Sequence, residues 1–327
     1  MSKKPYRYAV LEAVANEMRK DSTMCYFYEY ESPIATLPTG EVLNLWKEFG
    51  NVRTSAQGWP LDEAWYIGVT TGLGIAGVKV VAEIPSMTSV FPFEQIFNQV
   101  GNLRMMTGGQ GNMPVVIWID GAARAGGSAQ QHSQVGWEAM YAVIPGLKIV
   151  APSNAYDAAG LMTAAIRDPD PVIFCDYAEV ASGDQPDVPD QPYEVPIGQA
   201  VVRQEGKDIT LIAWAPATVD AQKAMADLTK AGISVEYIDL RTIKPLDEDT
   251  IATSVKKTGK LLVVDHGYWT NGFSANVAAV AAQRVPGAKV ARITFPDAAG
   301  PASREMIGWM RPDAPKIVDA VTKMVKG

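Results

Sequence analysis

The feature that most constrains this chain is an alternation of apolar runs with helical patterns, which occurs twice along the sequence. The first half contains the strand-like runs TMCYFYEY, VKVVAEI, MPVVIWID, LKIVAPS and PVIFCDY. The second half contains DITLIAWA, SVEYIDL, KLLVVDH and AKVARITF. Short apolar runs that alternate with helical patterns are typical of strands buried on both faces of a parallel sheet.

A segment rich in Pro, Asp and Gly separates the two series of runs. It reads ASGDQPDVPDQPYEVPIG over residues 181–198 and has no periodicity, as expected of an interdomain linker. The sequence therefore predicts an α/β protein with two doubly wound, mostly parallel sheet domains, at 1–180 and 199–327. The predicted helices are 6–20, 61–74, 91–105, 133–142 and 155–167, then 218–231, 247–257, 271–284 and 313–325.

The stretch GLGIAG, from Gly72 to Gly77, has the spacing of a dinucleotide-binding turn. Such a turn needs a strand before the first glycine and a helix that begins within the motif, so that the helix N-terminus faces the pyrophosphate. Here the order is reversed, because a helical pattern lies upstream and VKVVAEI lies downstream. The glycines are expected to close a helix and turn into a strand, and a nicotinamide or flavin nucleotide is disfavoured.

Composition disfavours several classes of function. The net charge of -7 comes without a basic run, which argues against nucleic acid as a partner. No window approaches the roughly 18 apolar residues that span a bilayer, and no signal sequence is evident, so no membrane partner and a cytoplasmic location are expected. The sequence also lacks the motifs of serine hydrolases, zinc metalloproteases and phosphate-binding loops.

The chain has two histidines, His132 and His266, and each follows a strand-like run. His132 lies beside Gln131 in a Gly- and Ala-rich loop, where open α/β sheets bind their ligands, and a functional role is favoured. His266 lies in VVDHGYWTNGF, and for this residue a structural and a functional role both remain open.

Five segments run in order over nearly the whole chain: WPLDEAWYIGVTTGLGIAGVKVVAEI, FPFEQIFNQVGNLRMMTGG, AGGSAQQHSQ, IPGLKIVAPSNAYDAAGLMTAAIRDPDPVIF and VEYIDLRTIKPLDEDTI. Together they resemble the beta subunit of the thiamine diphosphate-dependent 2-oxo acid dehydrogenases of the pyruvate, branched-chain and acetoin type, in the transketolase superfamily. The resemblance implies a transketolase-like pyrimidine-binding domain followed by a transketolase C-terminal domain.

The resemblance also implies roles for individual residues. Glu63 matches the glutamate that hydrogen-bonds the aminopyrimidine ring of the cofactor, whose imino form takes the proton from the thiazolium carbon. His132 matches a histidine that faces the 2-oxo acid, and Glu29 matches an acid near the cofactor. From the residues alone, Glu63 is better explained as an acid at a helix N-terminus, and the resemblance favours the catalytic role.

Three positions depart from the family pattern. Members carry an aromatic residue that stacks on the aminopyrimidine where this chain has Ser89, so either Phe91 takes that role or the stacking is lost. Trp59 replaces a threonine and is expected to reshape the substrate pocket, which also contains Gln131. Around Asp297 the usual proline and tyrosine are replaced, which leaves docking to a dihydrolipoyl acyltransferase open.

A structural potassium ion is one interpretation of the sequence AAIRDPDP. Asp168 and Asp170, with the carbonyls of Val116 and Ala165, match a loop that holds this ion in several relatives, and hard oxygen ligands suit it. Asp-Pro pairs also form turns without any metal, so both interpretations remain open.

A magnesium site is missing from the sequence. Superfamily members that bind thiamine diphosphate alone carry G-D-G and a later asparagine, and this chain contains no GDG. The resemblance therefore implies an alpha subunit that supplies the magnesium and diphosphate ligands, with the cofactor shared in an alpha-two beta-two tetramer.

The leading hypothesis is a beta subunit of an enzyme that decarboxylates a small 2-oxo acid and passes the acyl unit to lipoamide. Two alternatives remain. One is a stand-alone thiamine diphosphate-dependent decarboxylase or carboligase that forms acyloins without a lipoyl complex. The other is a non-catalytic interaction subunit.

Overall fold

The computed structural model describes residues 1–28, 33–54, 60–86, 89–122 and 136–327. The chain divides into two compact units. Of the described residues, 1–122 and 141–197 form the first unit, and 136–140 and 198–327 form the second.

The first unit is built on a parallel sheet. Its strands are β1 (Ser2–Lys3), β2 (Cys25–Tyr28), β3 (Ile34–Thr36), β4 (Val42–Asn44), β5 (Val80–Pro85), β6 (Val115–Ala122), β7 (Lys148–Val150), β8 (Val172–Tyr177) and β9 (Asp187–Val188). Strands β7, β8, β6, β5 and β2 are neighbours in this order, and all four pairings are parallel. Strand β3 pairs with β4, and β9 pairs with β1, so part of the stretch predicted as a linker is attached to this unit.

The helices of the first half of the chain lie between these strands. They are α1 (Tyr6–Lys20), α2 (Leu45–Phe49), α3 (Glu63–Ile75), a π-helix (Gln95–Val100), α4 (Leu103–Met106), α5 (Trp137–Ala142), α6 (Ala155–Arg167) and α7 (Ala178–Ala181). Helix α1 packs against α6, and α3 packs against β5 and the π-helix. The sheet strands β5 and β8 are buried almost throughout, as the uninterrupted apolar runs predict.

The second unit repeats the design. Its strands are β10 (Val201–Gln204), β11 (Ile209–Ala213), β12 (Val235–Asp239), β13 (Thr242–Lys244), β14 (Lys260–Tyr268) and β15 (Lys289–Phe295). Its helices are α8 (Pro216–Lys230), α9 (Glu248–Thr258), α10 (Ser274–Arg284), α11 (Arg304–Met310) and α12 (Ala314–Lys326). The sheet order is β10, β12, β11, β14, β15, in which only β10 is antiparallel to its neighbour. The predicted fold class of two mostly parallel sheets is therefore confirmed.

One predicted helix is broken in the structure. The pattern over 91–105 forms the π-helix and then α4, with Gly101 between them. A Cβ atom on Gly101 would lie 2.4 Å from Ile144 Cγ2, and one on Gly146 would lie 1.7 Å from the Gly101 carbonyl oxygen. The two backbones meet too closely for side chains at these positions, and this contact between distant residues is not visible in a local pattern. None of the helices in the described ranges is long and apolar enough to cross a membrane.

The GLGIAG stretch closes helix α3, as predicted. Helix α3 ends at Ile75, Gly77 adopts φ of 83°, and the Val78 N–H donates to the Leu73 carbonyl at 2.9 Å before β5 begins. This is the helix ending that favours glycine, because the left-handed conformation costs other residues free energy. Gly74 faces the sheet, and a Cβ atom there would lie 2.8 Å from Val115 Cγ1.

We predict opposite effects for alanine at the first two glycines of this stretch. Gly74→Ala should lower the free energy of unfolding by about 1–3 kcal/mol, because the methyl group overlaps Met113 and Val115. Gly72→Ala is the matched control, since Gly72 is exposed with nothing within 4 Å, and it should stabilise the helix by up to about 1 kcal/mol. Urea unfolding of both variants tests this, and equal changes in stability would contradict the assigned packing face.

Candidate active site

The carboxyl edge of the first sheet is where the topology gathers candidate site residues. In a parallel sheet every connecting helix returns antiparallel to the strands, so a helix N-terminus lies near the carboxyl ends of the strands. Helix α3 leads into β5 and begins with Glu63 at this edge. Open α/β sheets bind ligands at this edge.

Glu63 is buried at the start of α3, with 6% of its surface exposed. The Asp62 side chain caps the helix by accepting a hydrogen bond from the Trp65 N–H at 3.1 Å, so Glu63 is not needed as the cap. The Glu63 carboxylate oxygens are not among the fully buried polar atoms that lack a hydrogen-bond partner in the described ranges. A largely buried carboxylate at this edge can accept a hydrogen bond from a ligand that presents an N–H group, such as a protonated aminopyrimidine ring.

Ser89 and Phe91 follow β5 at the same edge and differ in the side-chain groups that they could present to a cofactor. Ser89 is fully buried, its hydroxyl donates to the Ser86 carbonyl at 2.9 Å, and its own carbonyl accepts from the Tyr141 hydroxyl at 2.5 Å. These bonds fix the backbone and leave Ser89 no group for a cofactor. Phe91 is 55% exposed, so it presents an accessible aromatic face. That Phe91 stacks on the aminopyrimidine, rather than the stacking being lost, stays a prediction.

Four predicted site residues lie outside the described ranges. These are the cofactor residue Glu29, the substrate-pocket residues Trp59 and Gln131, and the substrate-facing His132. Their roles stay predictions. In chain order, the segment that holds His132 follows β6, the strand adjacent to β5.

A buried charged network spans the strands of this unit, and sequence reasoning missed it. Arg7 on α1 donates to both carboxylate oxygens of Glu83 on β5, at 2.6 and 3.2 Å, and the Tyr26 hydroxyl donates to the same carboxylate. The Arg7 guanidinium lies 5.1 Å from the centre of the Trp118 ring, within the range of a cation–π contact. The sequence feature that could have predicted this network is an acidic residue inside each of the apolar runs VKVVAEI and PVIFCDY.

Asp176 on β8 belongs to the same network. The Trp118 Nε1 donates to its carboxylate at 3.2 Å. Burial raises the pKa of Asp176 to about 6, with Arg7 opposing the shift and the negative charge of Glu83 adding to it. Asp176 is therefore an acid that titrates close to neutral pH.

The comparisons with known proteins cover nearly the whole chain. Residues 2–176 match the transketolase pyrimidine binding domain, and residues 198–317 match the transketolase C-terminal domain. The beta subunit of the pyruvate dehydrogenase E1 component of Bacillus subtilis (strain 168) is 33% identical, with 97% of each chain covered. This chain belongs to the family of 2-oxo acid dehydrogenase beta subunits.

Other members agree with this assignment, and a more distant structure shares the fold. The pyruvate dehydrogenase E1 component subunit beta of Acholeplasma laidlawii is 36% identical, over 82% of this chain and 81% of the relative. Acetoin:2,6-dichlorophenolindophenol oxidoreductase subunit beta of Cupriavidus necator is 38% identical, over 82% and 80%. A split gene transketolase, solved as an inactive beta4 tetramer, has a TM-score of 0.79 over 98% of both chains at 20% identity, which shows the shared fold.

Asp168 and Asp170, which the resemblance suggests as potassium ligands, already form ion pairs with basic side chains of this chain. Lys148 Nζ lies 2.7 and 2.6 Å from the two Asp168 oxygens, and Arg104 lies 2.7 Å from Asp170. Both carboxylates are thus neutralised within the chain, so a potassium ion would depend on main-chain oxygens such as those of Val116 and Ala165. No cluster of three or more His, Cys, Asp or Glu residues suited to a metal occurs within the described ranges.

His266 is held in the second unit by contacts that support a structural role. Its Nε2 lies 3.2 Å from Asp220 Oδ2 without forming a hydrogen bond, and Arg311 Nε donates to the same oxygen at 2.8 Å. The ring packs edge-on against Phe295, at 5.8 Å between ring centres. Burial lowers the pKa of His266, which favours the neutral imidazole. Asp220 on α8, His266 on β14 and Arg311 directly after α11 are therefore in contact.

The titration of Asp176 predicts how stability depends on pH. Because the pKa is raised from 3.8 to about 6, the folded state binds a proton that the unfolded state releases between these two values. The free energy of unfolding should therefore fall as pH rises from about 4 to 6, by on the order of 2 kcal/mol, and level off above that. Asp176→Asn should remove the part of this decline that Asp176 contributes, because the amide does not titrate, whereas Asp265, whose pKa burial also raises to about 6, keeps its own part.

Urea unfolding from pH 4.5 to 8 measures this dependence. Asp227→Asn, which changes an exposed aspartate, serves as the control and should have the same profile as the wild type. A profile of Asp176→Asn that parallels the wild type would mean that Asp176 does not titrate in this range.

Proposed function

We propose that this chain is the beta subunit of a heterotetrameric thiamine diphosphate-dependent enzyme that decarboxylates a 2-oxo acid and passes the acyl unit to lipoamide. The observation that carries the proposal is Glu63, a residue 6% exposed that begins a helix at the sheet edge, although the Asp62 side chain already caps that helix. The pyruvate dehydrogenase relative aligns over both domains and supports the same conclusion.

Each site residue of the chain has a distinct task in this proposal. Bound thiamine diphosphate supplies the electron sink that decarboxylation of a 2-oxo acid requires. Glu63 accepts a hydrogen bond from the pyrimidine ring and holds a proton at the ring nitrogen, and burial strengthens this interaction. Phe91 offers an aromatic face to the ring. His132 faces the 2-oxo acid and hydrogen-bonds its carbonyl oxygen, in a pocket shared with Gln131 and Trp59.

Exposed apolar residues at the start and end of helix α3 support the presence of a partner subunit. Leu61, two residues before α3, and Trp65 and Ile75 within it are 70, 40 and 60% exposed. Exposed apolar side chains along one face are typical of a surface that another chain covers. Since the sequence has no GDG motif, we propose that an alpha subunit covers part of this surface and supplies the magnesium and diphosphate ligands in an alpha-two beta-two tetramer.

Substitution of Glu63 tests its proposed role. Glu63→Gln keeps the size of the side chain and removes its charge, so the pyrimidine ring loses its proton-holding partner. In the enzyme reconstituted with the alpha subunit, thiamine diphosphate and magnesium, kcat should fall by about 100-fold or more. Glu305→Gln, which changes an exposed glutamate of α11, should leave kcat unchanged. Wild-type turnover by Glu63→Gln would remove Glu63 from the catalytic machinery and revive the interaction-subunit alternative.

The acyl acceptor is tested by adding a lipoyl domain. We expect turnover of a 2-oxo acid to continue beyond one equivalent only when the lipoyl domain is present, with acyl groups found on the lipoyl thiol. Release of aldehyde or acyloin at the same rate without the lipoyl domain would instead support the free-standing carboligase. Mass spectrometry of the lipoyl domain and gas chromatography of the products distinguish the two results.

A further inference from the structure

A surface pocket lies at the carboxyl edge of the second sheet, where β14 and β15 end. Because these two strands run parallel, the residues that follow β14 lie beside the last residues of β15. The pocket has a volume of about 450 Å³, which is within the range of small-molecule sites. It is lined by Trp269, Arg292, Ile293, Pro296 and Asp297, which all belong to the second unit. None of these residues has a task in the proposed cofactor or substrate site.

Arg292 is held in place by only part of its guanidinium group. Its Cζ atom lies 4.2 Å from the centre of the Trp269 ring, which is a cation–π contact. Its Nη1 donates to the Trp269 carbonyl at 3.1 Å and to the Ser274 hydroxyl at 3.4 Å. In the part of the chain that the structure describes, Arg292 forms no other hydrogen bond and no ion pair. Since a guanidinium has five N–H donors, those on Nε and Nη2 remain for a ligand.

The chemistry of the lining predicts what such a ligand looks like. The planar fork of N–H groups on an arginine matches the two oxygens of a carboxylate. Trp269, which is 52% exposed, lines the same pocket together with Ile293 and Pro296. An apolar group attached to the carboxylate would be removed from water against these three side chains, which favours binding. The pocket therefore suits a carboxylate with an apolar body.

Asp297 limits the charge of the ligand. Its Oδ1 accepts from the Thr270 N–H at 2.8 Å, and its Oδ2 accepts from the Thr270 hydroxyl at 2.6 Å. These hydrogen bonds, with a smaller contribution from the charge of Arg292, lower the pKa of Asp297, so its carboxylate is ionised at neutral pH. A second negative charge on a ligand in this pocket would be repelled by Asp297. The pocket is expected to prefer one negative charge over two.

We propose that this pocket binds a small monocarboxylate, whose carboxylate pairs with Arg292 and whose apolar body lies against Trp269. The inference does not rest on the proposed function, because every residue that it uses belongs to the second unit, whereas Glu63 and Phe91 belong to the first. The alternative is that Arg292 and Trp269 only tie the segment after β14 to β15, in which case no ligand binds.

Fluorine NMR of the full chain labelled with 5-fluorotryptophan measures binding directly. The chain has eight tryptophans, and Trp269→Phe identifies the signal of Trp269 by its loss. Titration with sodium butyrate should shift this signal saturably in the millimolar range. Butyramide, which is neutral and has the same shape, should not shift it, nor should sodium chloride at the same ionic strength. An equal response to butyramide, or a shift that never saturates, would overturn the proposal.

Substitution of Arg292 tests which group holds the carboxylate. Arg292→Gln should weaken butyrate binding by about 10-fold or more, because a charge-assisted pair is lost. Arg284→Gln is the matched control, since this arginine of α10 pairs with Glu248 and Asp249, and it should bind butyrate like the wild type. Circular dichroism establishes that each variant is folded. If Arg292→Gln is not folded, Arg292→Lys decides, because it keeps the charge and loses the planar fork, and its affinity should fall by about threefold or more. Wild-type affinity in the deciding variant would contradict the proposal.

Substitution of Asp297 tests the preference for a single charge. The wild type should bind succinate and inorganic phosphate about 10-fold more weakly than butyrate, and Asp297→Asn should reduce this difference by about threefold or more. Asp319→Asn, which changes an exposed aspartate of α12, should keep the wild-type preference. Binding of phosphate or succinate by the wild type as tightly as butyrate would show a general anion site, and the assignment to a monocarboxylate would be wrong.

Discussion

Parallel pairing of the strands is the constraint on which the rest of this structure depends. Parallel neighbours cannot be joined by a tight turn, so the chain must return along the sheet before each new strand begins. In the first unit this requirement places the N-terminus of α3 and the carboxyl ends of β5 and β6 at one edge. Glu63 and Phe91 come to that edge for topological reasons, although neither is close to the other in sequence.

Charge burial is the second theme of the molecule, and each unit has its own instance. In the first, Arg7 neutralises Glu83 and ties α1 to the sheet; in the second, Asp265 organises the end of β14 through backbone N–H groups. Both networks include an aspartate whose pKa burial raises to about 6. Apolar packing of the same volume would have cost less free energy, so these networks fix the geometry more tightly than stability alone requires.

Local signals were sufficient for much of the fold. Helices α1 and α6 have the predicted bounds because their ends are marked by residues such as Pro5 and the capping Asn154. The order of helix and strand around GLGIAG followed from the flanking patterns. The π-helix and the Arg7 to Glu83 bridge were missed because they depend on contacts between segments far apart in the chain, and the bridge joins residues 76 positions apart. Glu63 gained its role from the family resemblance, since its local pattern is equally that of a helix start.

The central claim is that the chain completes its cofactor site only with a second subunit. Calorimetric titration of thiamine diphosphate with magnesium into the chain alone, the alpha subunit alone and their purified complex tests it most directly. The account predicts saturable binding by the complex, with one cofactor per pair of unlike subunits, and none detectable for this chain alone. Binding to the isolated chain with the affinity of the complex would contradict it.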